Sequence, residues 1–311
     1  MRAFIFPGQG SQAVAMGKAL ADASAVAREV FQEVDDALGE ALSRLIFEGS
    51  VEELTLTANT QPALMAVSLA AMRALEREFG VKADQAMFVA GHSLGEYSAL
   101  AAAGALSVGD AARLLRKRGL AMQAAVPVGE GAMAALIGKV DVALAEAIAA
   151  EGAKFGVCVV ANDNNIGNVV ISGAKAGVDA ALAAAKAKGA RAIALNVSAP
   201  FHSPLMAPAA EAMREALAAV RLASPDAPLV ANVTASPVED VETIRALLVA
   251  QVTGRVRWRE SVEWMDANGV TRFAEVGAGK QLSGMIKRNA PEAEAIALNE
   301  PADLEAFAKS V

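Results

Sequence analysis

The sequence predicts an α/β fold with a mainly parallel sheet, interrupted by a small second domain. Two observations support this prediction. Towards both ends of the chain, short apolar runs alternate with longer helical patterns, as strands and helices of a parallel sheet do. Between about residues 132 and 196 the order changes to βαββαβ, which can fold as a compact unit of its own.

The N-terminal part begins with a buried strand that stops at Pro7-Gly8 and continues into helices. Pro62 is placed in the first turn of a helix, a position that proline favours. The predicted elements are a strand at Ala3–Phe6, broken helix over 13–47, a helix from Gln61-Pro62 to about Phe79, a strand at Gln85–Ala90 and a helix at Leu94–Ala103.

The middle segment follows the order of the ferredoxin-like split unit. Its second and third strands are joined by the turn-rich segment 162–168. The predicted elements are strands at Ala132–Ile137, Val157–Ala161, Val169–Ser172 and Arg191–Val197, with helices at Asp141–Glu151 and Lys175–Lys188.

After the middle segment the strand–helix alternation returns, with strands at Pro228–Asn232 and Thr271–Val276 and helices at Val241–Val252 and Ser261–Asn268. Both ends of the chain therefore build one body. We predict a large α/β domain from residues 1–127 and 198–311, and an inserted ferredoxin-like domain from residues 128–197.

Composition excludes several classes of protein. The chain has 311 residues, 54% of them hydrophobic and 20% charged, with a formal net charge of −7, which argues against a nucleic-acid binder. No apolar run is long enough for a transmembrane helix, and we expect no membrane partner. The single cysteine, Cys158, allows no internal disulfide and fits a cytoplasmic protein. No Cys/His cluster suggests a metal, so we expect none.

The strongest chemical signal is the pentapeptide Gly91-His92-Ser93-Leu94-Gly95. It lies between a predicted strand and a predicted helix, the context of a nucleophile elbow, and makes the large domain α/β-hydrolase-like. The two glycines allow the sharp turn, and the helix N-terminus favours developing negative charge. A plain structural turn is the alternative for the pentapeptide alone, but its context favours a nucleophilic Ser93.

A serine nucleophile needs a base, and the chain has only two histidines. His92 is adjacent to Ser93, and neighbouring side chains at a strand end point to opposite faces, so packing or hydrogen bonding suits it better. His202 lies in the Pro-bracketed loop 198–204, and loops are frequent places for functional residues. His202 is therefore the candidate general base.

The loop after the first strand, Gly8 to Ala13, offers a rival function. It has the pattern G-x-G-x-x-A, which formally matches a dinucleotide fingerprint. That fingerprint needs a second strand ending in an acidic residue, whereas residues 18–46 have a helical pattern. We favour a loop that supplies a backbone N–H to an oxyanion.

Seven segments together resemble the malonyl-CoA:acyl-carrier-protein transacylases, whose fold also serves as the acyltransferase domain of polyketide synthases. They occur in the family's order and span nearly the whole chain. They are PGQGSQ at 7–12, GHSLGEYSAL at 91–100, RGLAMQAAVP at 118–127, NVVISG at 168–173, SAPFHSPLM at 198–206, VRW at 256–258 and EVGAGK at 275–280.

The resemblance implies a role for each matching residue. Ser93 is the nucleophile that becomes malonylated and His202 its base, oriented by the backbone carbonyl of Gln251. The backbone N–H groups of Gln9 and Leu94 form the oxyanion hole. Two further matches are Arg118, which holds the free malonyl carboxylate, and Phe201, which looks like the malonyl-preferring form of its loop.

The implied reaction is ping-pong transfer of malonyl from malonyl-CoA to the phosphopantetheine thiol of acyl carrier protein, for fatty acid synthesis. Coenzyme A thioester is a substrate, no cofactor is needed, and the family default is a monomer. A discrete polyketide-type acyltransferase and a malonate-decarboxylase accessory malonyltransferase share the pattern. A serine thioesterase is the remaining alternative.

Arg118 also has a physical argument of its own. A guanidinium pairs with a carboxylate through two charge-assisted hydrogen bonds, and malonyl differs from acetyl by one carboxylate. The alternative is a solvated helix face. Basic residues are also candidates for docking an acidic carrier protein: Arg113, Arg116, Lys117, Arg255, Arg257, Arg259, Lys280, Lys287 and Arg288.

Two observations separate a transferase from a hydrolase. An α/β hydrolase orders its triad Ser, acid, His, with the histidine near the chain end, whereas residues 203–311 follow His202 here. No acid is obviously placed to orient His202. The chain departs from the family pattern at Asn168, Ser203 and Ala278, and none of these is expected to touch the chemistry.

Overall fold

The computed structural model describes residues 1–197 and 199–311 and contains two sheets. The strands are β1 (Arg2–Phe6), β2 (Phe88–Gly91), β3 (Gly131–Ile137), β4 (Cys158–Asn165), β5 (Asn168–Ala174), β6 (Arg191–Ala194), β7 (Leu229–Ala231), β8 (Ser236–Val238), β9 (Arg272–Val276) and β10 (Glu294–Leu298).

Helices make up most of the remaining described chain. They are α1 (Lys18–Ala23), α2 (Ala25–Leu38), α3 (Leu42–Glu48), α4 (Val51–Thr55), α5 (Thr57–Phe79), α6 (Gly95–Ala102), α7 (Val108–Ala124), α8 (Val142–Gly152), α9 (Lys175–Ala187), α10 (Ala207–Ala219), α11 (Val241–Thr253), α12 (Trp258–Ala267), α13 (Gln281–Asn289) and α14 (Pro301–Ala308). None of the helices in the described ranges is both long enough and apolar enough to span a bilayer.

The larger sheet has six strands in the order β10-β9-β1-β2-β7-β8. All neighbours are parallel except β7 and β8, which form an antiparallel hairpin at one edge. The central strands β1 and β2 are buried along almost their whole length, as strands covered on both faces must be. The mainly parallel sheet that the alternating pattern predicts is confirmed.

The smaller sheet has four antiparallel strands in the order β4-β5-β3-β6. The apolar sides of α8 and α9 pack on it and form a separate core with β3, β4 and β5. This is the strand order of the ferredoxin-like unit, so that part of the fold prediction is also confirmed. The boundaries at 127/128 and 197/198 stay predictions, and Ser198, which begins the second large-domain segment, lies outside the described residues.

The smaller sheet meets the large unit along β4, at a contact that we call the seam. Asn162 forms an isolated parallel bridge with Val256 of the large unit, and Val256 N–H donates to the Ala161 carbonyl at 2.8 Å. Beside this bridge, Arg259 pairs with the buried carboxylate of Asp163 at 2.8 Å. The seam brings the polar side chains of β4 against the large unit.

Two predicted boundaries are wrong for identifiable reasons. Helix α5 begins at Thr57, so Pro62 lies inside it; the Ala58 carbonyl, four residues earlier, accepts a bond from Arg116 instead. Segment 162–168 is not a loop, because β4 pairs with β5 as far as Asn165, leaving a turn at Ile166-Gly167. The asparagines that suggested a loop are strand residues of the seam.

Candidate active site

Ser93 lies on a sharp turn between β2 and α6. Its φ is 55°, in the left-handed region that residues other than glycine seldom adopt. Close packing explains the flanking glycines. A Cβ on Gly91 would lie 1.9 Å from the Gly95 carbonyl carbon, and one on Gly95 would lie 2.3 Å from the Phe6 carbonyl oxygen. The pentapeptide thus has the strand–turn–helix geometry of a nucleophile elbow, and the nucleophilic role of Ser93 stays a prediction.

Asn232, which follows β7, holds this turn from the neighbouring strand. Its side-chain amide donates to the Gly91 carbonyl at 2.7 Å, and its Oδ1 accepts the Ser93 N–H at 2.8 Å. No role for Asn232 was predicted from the sequence. The available signal was its position at the end of a predicted strand, where parallel strands present their carboxyl ends together.

His202 contacts Ser93 directly. Its Nε2 lies 2.8 Å from Ser93 Oγ, while its Nδ1 lies 2.9 Å from the Gln251 carbonyl and 3.1 Å from the Gly254 carbonyl. Both carbonyls accept only, so the proton belongs on Nδ1 and Nε2 is free to accept the serine proton. No carboxylate of the described chain contacts this ring. Burial, with the nearby Arg118 charge, lowers the pKa of His202 to about 3.

Arg118 reaches the same point from α7 and is 1% exposed. Its Nη1 donates to Gln61 Oε1 at 2.8 Å, and its Nη2 donates to Gln251 Oε1 at 2.8 Å and to Ser93 Oγ at 3.1 Å. Its Nε is buried and has no acceptor in the described part of the chain. These partners carry no formal charge. Arg118 is therefore a buried cation whose fork has a donor left over.

Gln251 and Glu96 form a buried polar pair beside Ser93, His202 and Arg118. Gln251 Nε2 donates to the Ser93 carbonyl at 2.8 Å and to Glu96 Oε2 at 2.5 Å. Glu96 Oε1 accepts the Asn232 N–H at 2.5 Å. Burial raises the pKa of Glu96, while the hydrogen bonds from Asn232 and Gln251 and the nearby Arg118 charge act in the opposite direction and favour the carboxylate. The Gln251 carbonyl lies within hydrogen-bond distance of His202, as the family resemblance implies. No role for the Gln251 side chain, Glu96 or Gln61 was predicted from the sequence.

A cavity of about 290 Å³ opens onto Ser93 between the two sheets. The large unit contributes Gln9, Leu94 and Phe201 to its wall, together with Ser93, Arg118 and His202. The small sheet and the segment that follows β6 contribute mainly apolar residues and three asparagines: Met133, Ala135, Ile137, Asn162, Asn164, Asn168, Val170, Leu195 and Val197. The backbone N–H groups of Gln9 and Leu94 have no acceptor within the described ranges, so both are free to receive an oxyanion.

His92 does not face the serine oxygen. Its Nε2 lies 2.9 Å from Asn164 Oδ1, and its ring is tilted against the Trp258 ring with centroids 5.7 Å apart. This contact across the seam matches the packing and hydrogen-bonding interpretation. The rival nucleotide fingerprint has no support, because the chain from Lys18 to Glu48 forms α1, α2 and α3 where a second strand would be required.

Ion pairs engage five of the nine basic residues considered for carrier docking. Arg113, Arg116, Arg255, Arg257 and Arg259 pair with acidic neighbours. Lys117, Lys280, Lys287 and Arg288 have no ion pair in the described part of the chain. Docking by any of the nine stays a prediction.

The three departures from the family pattern differ in position. Asn168 lines the cavity, where its Oδ1 accepts from the Asn164 side chain at 3.5 Å; that it takes no part in the chemistry stays a prediction. Ser203 donates to the Pro200 carbonyl at 2.7 Å and shapes the histidine loop, while Ala278 is buried.

The fold and the serine–histidine site define an acyltransferase, an α/β enzyme with a second, antiparallel sheet beside its nucleophile. The family described as "Acyl transferase domain" matches residues 3–300. The chain belongs to this family.

Similar proteins cover almost the whole chain. It is 47% identical to the malonyl CoA-acyl carrier protein transacylase of Bacillus subtilis (strain 168), over 97% of this chain and 95% of that protein. The crystal structure of an acyl-carrier-protein S-malonyltransferase from Bartonella henselae superposes with a TM-score of 0.97 at 54% identity, covering 99% of this chain and 98% of that one. A malonyl-transacylase solved in complex with a type II PKS acyl-carrier protein superposes with a TM-score of 0.96 at 41% identity, covering 100% and 99%.

Proposed function

We propose that the enzyme transfers a malonyl group from malonyl-CoA to the phosphopantetheine thiol of acyl carrier protein. One observation carries the choice of acyl group: the buried Arg118 guanidinium lies 3.1 Å from Ser93 Oγ. Among the described residues it contacts only uncharged acceptors, and its Nε–H has no acceptor. A carboxylate on the acyl group would supply the missing charge and acceptors. The names of the similar proteins agree with this choice.

In the first half-reaction, Ser93 Oγ attacks the thioester carbonyl while His202 Nε2 takes the serine proton. The Gln9 and Leu94 N–H groups would stabilise the tetrahedral oxyanion. The carbon–sulfur bond then breaks, and His202 returns the proton to the departing coenzyme A thiolate. The product is a malonyl ester on Ser93.

In the second half-reaction, His202 accepts the proton of the phosphopantetheine thiol, whose sulfur attacks the same ester carbonyl. When the carbon–oxygen bond breaks, Ser93 recovers a proton from His202. The coenzyme A thiol leaves before the phosphopantetheine thiol reacts at the same site, and this order produces ping-pong kinetics. These steps use only side chains and backbone of this chain, and we propose that no metal or cofactor takes part.

We further propose a cytoplasmic, monomeric enzyme that supplies malonyl-carrier protein for fatty acid synthesis. The buried free thiol of Cys158 is compatible with a reducing compartment. The 41% identical transacylase whose partner is a type II PKS carrier shows that a site of this kind also serves polyketide carriers. Comparing fatty-acid and polyketide carriers as acceptors would separate the two pathways.

Intact mass spectrometry tests the function directly. Malonyl-CoA is expected to add the mass of one malonyl group to the enzyme, and holo acyl carrier protein is expected to remove it and gain the same mass. Carrier without phosphopantetheine is the matched control and should leave the adduct in place. Loss of the adduct to water at the same rate with and without holo carrier would instead support the thioesterase alternative.

The rate of malonyl loading is expected to depend little on pH between 8 and 5.5. The neutral form of His202 is the base, and lowering its pKa to about 3 keeps it neutral throughout this range. A histidine with an ordinary pKa of about 6.5 would be mostly protonated at pH 5.5 and lose roughly tenfold in kcat/KM. We expect a change below about twofold, measured by rapid quench. An acid limb centred near pH 6.5 would contradict it.

A further inference from the structure

Glu96 is a buried carboxylate to which the reaction steps assign no task. It is 1% exposed and lies on α6, directly before the buried Tyr97. Its two oxygens accept from different partners: Oε1 from the Asn232 N–H and Oε2 from Gln251 Nε2, both at 2.5 Å. Burying a carboxylate is costly compared with an apolar side chain of similar size, so stability alone does not explain its presence.

Glu96 constrains the orientation of the Gln251 side-chain amide. An amide can enter a site in two orientations that exchange a donor for an acceptor. In the observed orientation Nε2 faces two acceptors, Glu96 Oε2 and the Ser93 carbonyl, while Oε1 faces Arg118 Nη2. Reversal would place the amide NH₂ against the guanidinium and its oxygen against the carboxylate. Glu96 therefore fixes this orientation together with the Ser93 carbonyl and Arg118.

Gln251 connects this orientation to both functional groups. Its side-chain oxygen accepts from Arg118 at 2.8 Å, and its backbone carbonyl lies 2.9 Å from His202 Nδ1. Through Asn232, the other Glu96 oxygen supports the residue that holds the Ser93 turn. One carboxylate thus lies behind the nucleophile, the base and the cation without contacting any of them.

We propose that Glu96 is a positioning residue that orients the Gln251 amide and so places Arg118 for the acyl carboxylate and His202 for Ser93. The proposal rests on the proposed malonyl transfer. Its specific consequence is that exchanging the Glu96 oxygen that accepts from Gln251 for a donor changes substrate selectivity as well as rate. A residue that only stabilised the fold would not move the malonyl-to-acetyl ratio.

The test is Glu96→Gln, which keeps size but replaces one of the two acceptors with a donor. We expect kcat/KM for malonyl loading to fall about 10- to 100-fold. Acetyl loading is expected to fall less, so the malonyl-to-acetyl ratio drops. The matched control is Glu275→Gln, a second buried carboxylate, which accepts from the α13 residues Leu282 and Ser283. It is expected to lower thermal stability and leave that ratio unchanged.

A double-mutant cycle with Gln251→Ala makes the test sharp. If Glu96 acts through Gln251, adding Glu96→Gln to Gln251→Ala changes kcat/KM by less than about threefold. The proposal would be overturned if the fold-losses in kcat/KM of the two single variants multiplied in the double variant. It would also be overturned if the malonyl-to-acetyl loading ratio of Glu96→Gln were unchanged. If Glu96→Gln does not fold, Glu96→Asp replaces it, because it retains the carboxylate but shortens the side chain. A lowered malonyl-to-acetyl loading ratio in Glu96→Asp would support the proposal, and an unchanged ratio would overturn it. Failure of the proposed function would appear separately, as absence of a malonyl adduct in the unaltered enzyme.

Discussion

Replacing Ser93 by Ala is expected to abolish the covalent adduct and to lower malonyl transfer by at least about 10⁴-fold. Ser93 Oγ is the only hydroxyl hydrogen-bonded to His202 Nε2 in the described chain, and both thiols would exchange the acyl group through it. Intact mass after incubation with malonyl-CoA reports the adduct, and single-turnover kinetics with holo carrier protein report the transfer.

The control for this prediction is Ser98→Ala, the same substitution on the adjoining helix. Ser98 is fully buried, and its hydroxyl has no partner in the described residues, so its removal should not affect loading. A stoichiometric malonyl adduct on Ser93→Ala would contradict the assignment of the nucleophile and direct the search to another residue.

Replacing Arg118 by Ala is expected to reduce kcat/KM for malonyl loading by roughly 30- to 5,000-fold, the equivalent of about 2–5 kcal/mol. The guanidinium is buried, and no carboxylate of the described residues is in direct contact with it, so an acyl carboxylate would be its first anionic partner. Acetyl loading is expected to be retained or to increase, because acetyl makes no use of the cation. Loading rates from malonyl-CoA and acetyl-CoA, measured side by side, give the selectivity.

Two variants control the Arg118 experiment. Arg118→Lys keeps a charge but loses the fork, and we expect it to fall between the unaltered enzyme and Arg118→Ala. Arg113→Ala, on the exposed face of the same helix, should leave loading from coenzyme A thioesters unchanged. Equal losses of malonyl and acetyl loading in Arg118→Ala would remove its selectivity role.

Arg118→Ala also provides an internal check on the pH prediction. The Arg118 charge is one cause of the lowered pKa of His202. Its removal should therefore raise that pKa, and the acid limb of acetyl loading should move to higher pH.

Two parts of the site could be predicted from the sequence: one is defined by a local motif, and the other by a residue type that occurs only twice in the chain. The elbow is five consecutive residues between a strand and a helix, and with only two histidines the base follows by elimination. The assignments of Arg118 and the Gln251 carbonyl needed the family resemblance as well. Neither residue lies in a local pattern that defines its function.

The residues that the sequence did not reveal act through long-range contacts. Asn232 reaches Ser93 across 139 positions, and Gln251 reaches Glu96 across 155. Their roles depend on β7 lying beside β2, a strand order that alternating strands and helices alone do not specify. The asparagine-rich end of β4 was wrongly predicted as a turn, because its backbone pairing is supplied by β5 and the seam. Tertiary contacts overrode local propensity there.

The backbone of the reacting pair has an evolutionary consequence. Ser93 and His202 have φ values of 55° and 54°, and a side chain held in that region costs about 1–3 kcal/mol. Selection for thermal resistance alone would place glycine at both positions, where it relaxes the chain. Serine and histidine at these positions therefore lower the stability of the fold. The contacts around the turns must contribute enough free energy to offset that cost, which a relative with glycine at both positions would not bear.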